Sequence, residues 1–190
     1  MQDKRSQILD AALTLCAEEG TAGAATARIA KAAGVATGTL FHHFASKELL
    51  IQALYEEVKQ RLASALPAPE EQVTLCDAAR HYWDTTLDWL LAHPRELRFL
   101  LGFFHSPALP LALRTRIIGE TLPFLPRLLD QGVRQGCLTD CPQPLLLEVC
   151  QGQLLSCAAL FVAEPERASD DQWRSAAFTL FWHTIARSPT

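Results

Sequence analysis

The chain has 190 residues, of which 49% are apolar and 20% charged, and its formal net charge is −4. This balance is typical of a globular protein, and it excludes a disordered chain or one that is basic throughout. The polar start, MQDKRSQILD, has no apolar core of a secretory signal, so we expect a cytoplasmic protein with reduced cysteines.

Apolar residues recur at every third or fourth position along the sequence, which predicts an all-α protein. Turn signals divide this pattern into helices at about 4–18, 26–33, 37–44, 47–66, 73–92, 94–105, a helix ending near 136, then 144–163 and 170–187, with a proline-punctuated stretch over 106–126. We expect two domains, a small N-terminal one over 1–48 and a larger helical one over 49–190.

Small polar residues and glycines mark the predicted helix ends. Gly20 is expected to stop the first helix, since glycine adopts a left-handed backbone without strain. Thr26 is expected to cap the second helix and Ser46 the helix that starts at residue 47. Either Ser169 or Asp170 is expected to cap the last helix.

The apolar segment 145–163 is long enough to raise the question of a membrane span. It contains Glu148, and a carboxylate at the centre of a bilayer costs about 3 kcal/mol. Gln151 and Gln153 add further polar groups. A helix that is apolar on nearly all sides is normally buried in a soluble protein, so we predict a core or subunit-interface helix and no membrane.

Charge is distributed unevenly. No acidic residue lies between Glu19 and Glu48, whereas Arg28, Lys31 and Lys47 all fall within this stretch. A locally positive segment on an acidic chain is compatible with contact to the phosphates of nucleic acid.

Two short helices near the N-terminus, joined by a tight turn at Gly34, describe a helix-turn-helix. Ile29 and Ala30 are expected to pack the first of these helices inward. Leu40 and Phe44 are four positions apart on the second helix and can therefore face the core together.

The segments 8-ILDAALTLCAEEG-20 and 26-TARIAKAAGVATGTLFHHFASKELL-50 resemble the TetR family of transcriptional repressors. The resemblance covers about a quarter of the chain by motif and the remainder by helix pattern alone. It implies a helix-turn-helix domain followed by a ligand-binding and dimerisation domain. It further implies a homodimer paired through its last two apolar helices, which binds a palindromic DNA operator and is released by a small-molecule inducer.

The resemblance also implies which residues contact DNA: Thr26, Arg28, Thr37, Gly38, Thr39, Phe41, His42, His43 and Lys47. Thr26 and Lys47 match phosphate contacts, and residues 37–39 would lie deepest in the major groove. The sequence departs from the family twice. Phe41 stands where tyrosine is common, and Ala36 stands where a capping serine is common, so Thr37 is expected to cap its helix instead.

The adjacent histidines His42 and His43 also invite a metal-binding or catalytic interpretation. Neighbouring positions on a helix point about 100° apart, whereas chelation favours a spacing of three or four. The sequence also has no HExxH, CxxC, GxSxG, GxGxxG or GKS/T motif. We therefore expect both histidines to face DNA, and we expect no metal, no cofactor and no enzymatic activity.

Aromatic residues are concentrated after residue 80, where they can form the core or line a ligand pocket. The resemblance implies a pocket in this region, mostly apolar with a few polar anchors. The candidate lining residues are Trp89, Phe103, Phe104, His105, Phe124, Gln153, Cys157 and Phe161. A positively charged ligand is an alternative to a neutral apolar or aromatic one, because aromatic ring faces attract cations and Asp84 and Asp88 lie nearby.

The six cysteines leave two interpretations open. Cys137 and Cys141 lie in a proline-rich loop, and Cys150 and Cys157 lie seven apart on one helical face. A buried cysteine packs as a small apolar residue, whereas an exposed one can respond to oxidants. A thiol-based, redox-responsive regulator is therefore the alternative to an inducer-responsive one.

Overall fold

The computed structural model describes residues 3–66, 73–103 and 109–187, and its regular elements within these ranges are all α-helices. The all-α prediction is confirmed. The helices are α1 Lys4–Gly23, α2 Thr26–Ala32, α3 Thr37–His43, α4 Lys47–Ala65, α5 Leu75–Ala92, α6 Pro94–Phe103, α7 Leu111–Thr121, α8 Phe124–Arg134, α9 Gln143–Ala163, α10 Pro165–Ala168 and α11 Asp171–Ile185.

The chain forms two compact units. The first comprises Met1–Val58 and Pro94–Pro110, and the second comprises Lys59–His93 and Leu111–Thr190. The sequence had placed a boundary after residue 48, at the end of the helix-turn-helix. That boundary remains a prediction about where the DNA-binding function ends.

In the first unit, α1 packs against α2, α3 and α6. Gly20 interrupts α1 with φ 72° and ψ 166°, so the regular helix ends where the sequence predicted, before a last turn to Gly23. Arg95 of α6 reaches back to α1, where its guanidinium donates to Thr14 Oγ1 at 3.0 Å and to Asp10 Oδ1 at 3.2 Å. A segment distant in sequence thus completes the unit.

The helix caps confirm two predictions and correct two others. Ser46 Oγ accepts from the Leu49 amide at 3.2 Å, and Asp170 Oδ1 accepts from the Gln172 amide at 2.8 Å, as predicted. Thr26 and Thr37 are wrong as N-caps. The backbones of the residues before them, both alanines, are extended, so each threonine is the first helical residue and its side chain caps nothing.

In the second unit, α9 is the central helix, in contact with α5, α7, α8 and α11. By length and composition alone α9 could also cross a membrane, but core helices of soluble proteins share these properties. Helix α7 lies within the proline-punctuated stretch 106–126, for which the sequence predicted no helix bounds. After Gly136 (φ 71°) the chain pairs with its own C-terminal end, where the Thr139 amide donates to the Ile185 carbonyl at 2.9 Å.

Candidate nucleic-acid interface and ligand cavity

The turn between α2 and α3 is closed by backbone hydrogen bonds. Gly34 has φ 67°, in the left-handed region that glycine adopts most readily, as the sequence predicted. The Gly34 amide donates to the Lys31 carbonyl at 3.1 Å, and the Val35 amide donates to the Ala30 carbonyl at 3.0 Å. These bonds fix the direction in which α3 leaves α2.

Helix α3 has one buried side and one exposed side. Leu40 is fully buried and Phe44 is 5% exposed, so both pack inward as expected. The residues that the sequence assigned to DNA lie on the other side: Thr37, Gly38, Phe41, His42 and His43 are exposed, and Thr39 is half-buried. Phe41 is 43% exposed, which is unusual for a phenyl ring and leaves it available for contact.

Arg28 is exposed on α2, but its guanidinium is held by a carboxylate of α1. Arg28 forms a two-pronged ion pair with Glu19, in which Nη2 lies 2.6 Å from Oε1. The hydrogen bonds from Arg28 hold the pKa of Glu19 below its ordinary value. A DNA phosphate at Arg28 would have to compete with Glu19.

The other basic residues of the first unit differ in how they are held. Lys47 Nζ donates to the Ala22 carbonyl at 3.2 Å, which joins the start of α4 to the end of α1. Lys31 is exposed at the end of α2. Arg5, which the sequence interpretation did not single out, lies with its guanidinium 5.6 Å from the ring centroid of Phe44.

The two histidine rings of α3 meet edge to face, with centroids 5.7 Å apart and an interplanar angle of 73°. Within the described ranges, no group of three or more His, Cys, Asp or Glu side chains is arranged to hold a metal ion. What the two rings offer is an exposed pair of hydrogen-bonding edges at the end of α3.

The second unit contains a cavity of about 130 Å³. Its walls come from α4, α5, α7, α8, α9 and α11, and most of its lining is apolar: Leu62, Leu66, Leu75, Ala79, Ile118, Leu122, Phe124, Leu125, Leu128, Leu129, Leu147, Leu154, Phe181 and Ile185. Its polar or titratable lining residues are Lys59, Tyr82, Trp83, Thr86, Cys150 and Gln151.

Of the predicted pocket residues, Phe124 lines this cavity. The other candidates that the structure describes are not part of its lining. Trp89 stacks on His93 with centroids 4.4 Å apart, and Phe103 packs near Tyr55 in the first unit.

Gln153 Nε2 donates to Thr184 Oγ1 at 2.9 Å, Cys157 is half-buried, and Phe161 is buried. Phe104 and His105 lie outside the described residues. Contact with an inducer remains a prediction for all of these positions.

The two carboxylates that suggested a cationic ligand face an arginine instead. Arg174 Nη2 lies 2.7 Å from Asp88 Oδ1 and 4.0 Å from Asp84 Oδ1. Neither aspartate belongs to the cavity lining.

The charged side chain in the cavity lining is Lys59, which the sequence interpretation missed. Lys59 is 5% exposed, and its Nζ donates to Gln151 Oε1 at 2.9 Å. Burial lowers the pKa of Lys59 to about 8, against the opposing influence of Glu148. Lys59 falls on the same helical face as Tyr55 and Leu62. A lysine in this apolar stripe was the signal that could have identified it.

The thiols divide by burial. Burial raises the pKa of Cys16 to about 11 and that of Cys150 to about 12, and it also raises the pKa values of Cys76 and Cys157. A thiol with a raised pKa forms less of the reactive thiolate. Cys137 is exposed and is the best placed of the described thiols to meet an oxidant.

A buried three-helix core with an exposed α3 defines the class of helix-turn-helix DNA-binding proteins. Residues 8–54 match the family described as "Bacterial regulatory proteins, tetR family". A TetR-family transcription regulator from Shewanella sp. PV-4 is 38% identical and superposes with a TM-score of 0.90, over 98% of this chain and 100% of that one. The chain therefore belongs to the TetR family of transcription regulators.

Two further relatives show the range of the family. The nucleoid occlusion factor SlmA of Haemophilus ducreyi is 28% identical over 184 residues, which cover 91% of this chain and 90% of that protein. The transcriptional regulator UidR of Escherichia coli K12 is 37% identical over 76 residues, which cover 40% and 39% of the two chains. The first is named for nucleoid occlusion, and the second is named as a helix-turn-helix transcriptional regulator.

Proposed function

We propose that the protein is a cytoplasmic, dimeric repressor that binds a palindromic operator through α3 and leaves it when a small molecule occupies the cavity of the second unit. The observation that carries this proposal is the exposed side of α3. Polar and aromatic side chains there face solvent while Leu40 and Phe44 anchor the helix.

Operator recognition is assigned to residues along this side. Thr37, Gly38 and Thr39 would meet base edges in the major groove, with Phe41, His42 and His43 beside them. Thr26, Arg28 and Lys47 would contact phosphates and set the register of α3, because phosphate contacts position a protein without reading sequence.

Dimerisation through α9 and α11 is supported by the apolar surface that these two packed helices expose. Leu160 on α9 is 44% exposed and Leu180 on α11 is 70% exposed. Large exposed apolar side chains on neighbouring helices are typical of a subunit interface. A two-fold dimer would present two copies of α3 about 34–36 Å apart, which is the length of one helical turn of DNA. Sedimentation of the purified protein measures whether it is a dimer.

Release by a ligand follows if the ligand binds the DNA-free arrangement more tightly than the DNA-bound one. Helix α4 is continuous from Lys47, a proposed phosphate contact, to the cavity residues Lys59 and Leu62. We infer that α4 transmits occupancy of the cavity to the helix-turn-helix.

Gly38→Ala tests operator recognition without disturbing the fold. A Cβ at Gly38 meets nothing within 4 Å, and replacing a helical glycine by alanine stabilises by about 0.5–1 kcal/mol. We expect the variant to be slightly more stable yet to bind at least about tenfold more weakly to a duplex selected from a random pool, because the methyl group would meet a base edge.

Gly119→Ala is the matched control, since Gly119 also lies in a helix with nothing within 4 Å of an added Cβ. It should leave DNA affinity unchanged. If the Gly38→Ala variant binds DNA as tightly as the wild type, α3 does not contact the bases.

The thiol-based alternative rests on the exposure of Cys137. Peroxide treatment should release DNA from the wild type, but not from Cys137→Ser, if oxidation is the signal. Continued DNA binding of the wild type after oxidation would leave the cavity as the sensor.

A further inference from the structure

Phe41 is an apolar residue that α3 leaves exposed. Leu40 is fully buried and Phe44 is 5% exposed, whereas Phe41 is 43% exposed. Within the described ranges, the phenyl ring of Phe41 takes part in no aromatic stack and no cation–π pair, unlike the ring of the adjoining Phe44. The ring of Phe41 therefore has a face available to a partner.

The position of Phe41 on α3 places its ring beside residues assigned to the bases. Thr37 lies four positions before Phe41 and Gly38 lies three positions before it, so these residues are neighbours on the helix surface. Long side chains of an α-helix lean toward its N-terminus, which directs the ring of Phe41 toward the turn that contains Thr37 and Gly38. A Cβ at Gly38 would meet nothing within 4 Å, so the space beside the ring is open. A base edge can approach the ring there.

A phenyl ring recognises DNA through apolar contact, because it has no hydrogen-bond donor or acceptor. It cannot donate to a phosphate, as the tyrosine that is common at this position in the family can. In the major groove, the base edges present nitrogen and oxygen atoms together with one methyl group, at C5 of thymine. A ring against a nitrogen or oxygen atom would displace water without replacing its hydrogen bond. A ring against the thymine methyl group buries apolar surface on both partners.

We propose that Phe41 is a specificity-determining residue, which selects thymine by packing its ring against the 5-methyl group. The proposal names the base that this position of α3 reads, and it rests on the proposed function. In a two-fold dimer both copies of Phe41 make the same contact, so the operator should carry an A·T pair at symmetric positions in its two half-sites.

Replacement of thymine by deoxyuridine in the operator tests this contact. Deoxyuridine lacks the 5-methyl group but keeps the base pairing and every hydrogen-bonding group of thymine. A duplex is selected from a random pool with the full-length wild-type protein, and each of its thymines is then replaced in turn. We expect one thymine in each half-site at which the replacement weakens binding about fourfold, the value of one buried methyl group, and about fifteenfold when both half-sites are changed.

Two variants of Phe41 assign this loss of affinity to the phenyl ring. Phe41→Ala should bind the thymine and deoxyuridine duplexes equally, because the group that contacts the methyl is gone. Phe41→Tyr keeps the ring and should keep the difference between the two duplexes. Leu49→Ala is the matched control, because Leu49 is an apolar residue that is 47% exposed on α4, and this variant should also keep the difference. If Phe41→Ala still loses affinity at the same thymine, the contact belongs to another residue and the proposal is wrong.

Methylated cytosine supplies the same methyl group on a different base pair. The identified A·T pair is replaced by G·C, and the affinities for cytosine and for 5-methylcytosine at this position are compared. Methylation should raise the affinity of the wild type and leave that of Phe41→Ala unchanged. A gain shared equally by both proteins would mean that methylation acts through the shape of the DNA, and it would overturn the proposal.

The same titrations separate this inference from the proposed function. If the wild type binds a selected duplex but no deoxyuridine replacement weakens binding, the inference fails while operator binding through α3 stands. If the wild type binds no duplex of the pool more tightly than random DNA, the proposed function fails and the inference fails with it.

Discussion

The two units of the chain offer partners opposite kinds of surface. The first exposes polar and aromatic side chains on α3 over a small buried core, whereas the second encloses an apolar cavity. Two lysines of α4 show the difference. Lys47 is half-exposed and donates to the Ala22 carbonyl, while Lys59 is buried and donates to Gln151.

This contrast shows how environment assigns roles to identical side chains. A hydrated ammonium such as that of Lys47 can exchange a carbonyl for a DNA phosphate at small cost. The ammonium of Lys59 has lost most of its hydration, so the charged form is less favourable and the pKa of Lys59 is lowered. The following substitutions test the comparison, beginning with the largest expected effect.

Leu40→Ala and Phe41→Ala should separate the two sides of α3. Leu40 is fully buried, so its truncation should lower the free energy of unfolding by about 2–5 kcal/mol. Phe41 is exposed, so its truncation should change the free energy of unfolding by about 0.5 kcal/mol or less while weakening DNA binding. Urea unfolding and DNA titration measure the two effects, and a large loss of stability in Phe41→Ala would place its ring in the core.

Lys47→Ala should weaken binding to selected and random duplexes alike. Loss of one phosphate contact should reduce the salt slope of log K by about 0.9. Arg116→Ala is a control for net charge, because Arg116 is exposed in the second unit and pairs with Glu120. Lys47 also donates a hydrogen bond to the Ala22 carbonyl, so thermal unfolding of the variant is measured in parallel. An unchanged salt slope would mean that Lys47 does not contact a phosphate.

Glu19→Gln should have the smallest effect, and in the opposite direction. Removing the carboxylate charge frees Arg28 for a phosphate, so DNA affinity should rise modestly and the salt slope should steepen by up to about 0.9. Asp10→Asn makes the same change of charge on α1, where Asp10 pairs with Arg95. An equal gain in both variants would mean that overall charge, rather than the release of Arg28, is responsible.

Local features of the first unit were predictable because they depend on neighbouring residues. Gly34 adopts its left-handed turn, and Ser46 caps α4, as the sequence indicated. The capping roles of Thr26 and Thr37 failed because one residue of register decides whether a hydroxyl reaches the free amides. Proline spacing also concealed α7.

The pocket was less predictable, because its lining comes from helices far apart in sequence. Of the six candidate residues that the structure describes, Phe124 belongs to the cavity lining. Aromatic composition cannot distinguish a core ring such as Phe161 from one beside a cavity, since both are buried apolar groups.

The sequence by itself determined the all-α class, the helix-turn-helix and the outward residues of α3, because helical periodicity and glycine turns act within a few residues. Only the tertiary structure decided that α6 joins α1 and that Arg28 is held by Glu19. It also decided that Lys59 enters an apolar cavity, where burial lowers its pKa to about 8. These features depend on which surfaces meet across long separations, and the packing of the whole core sets them.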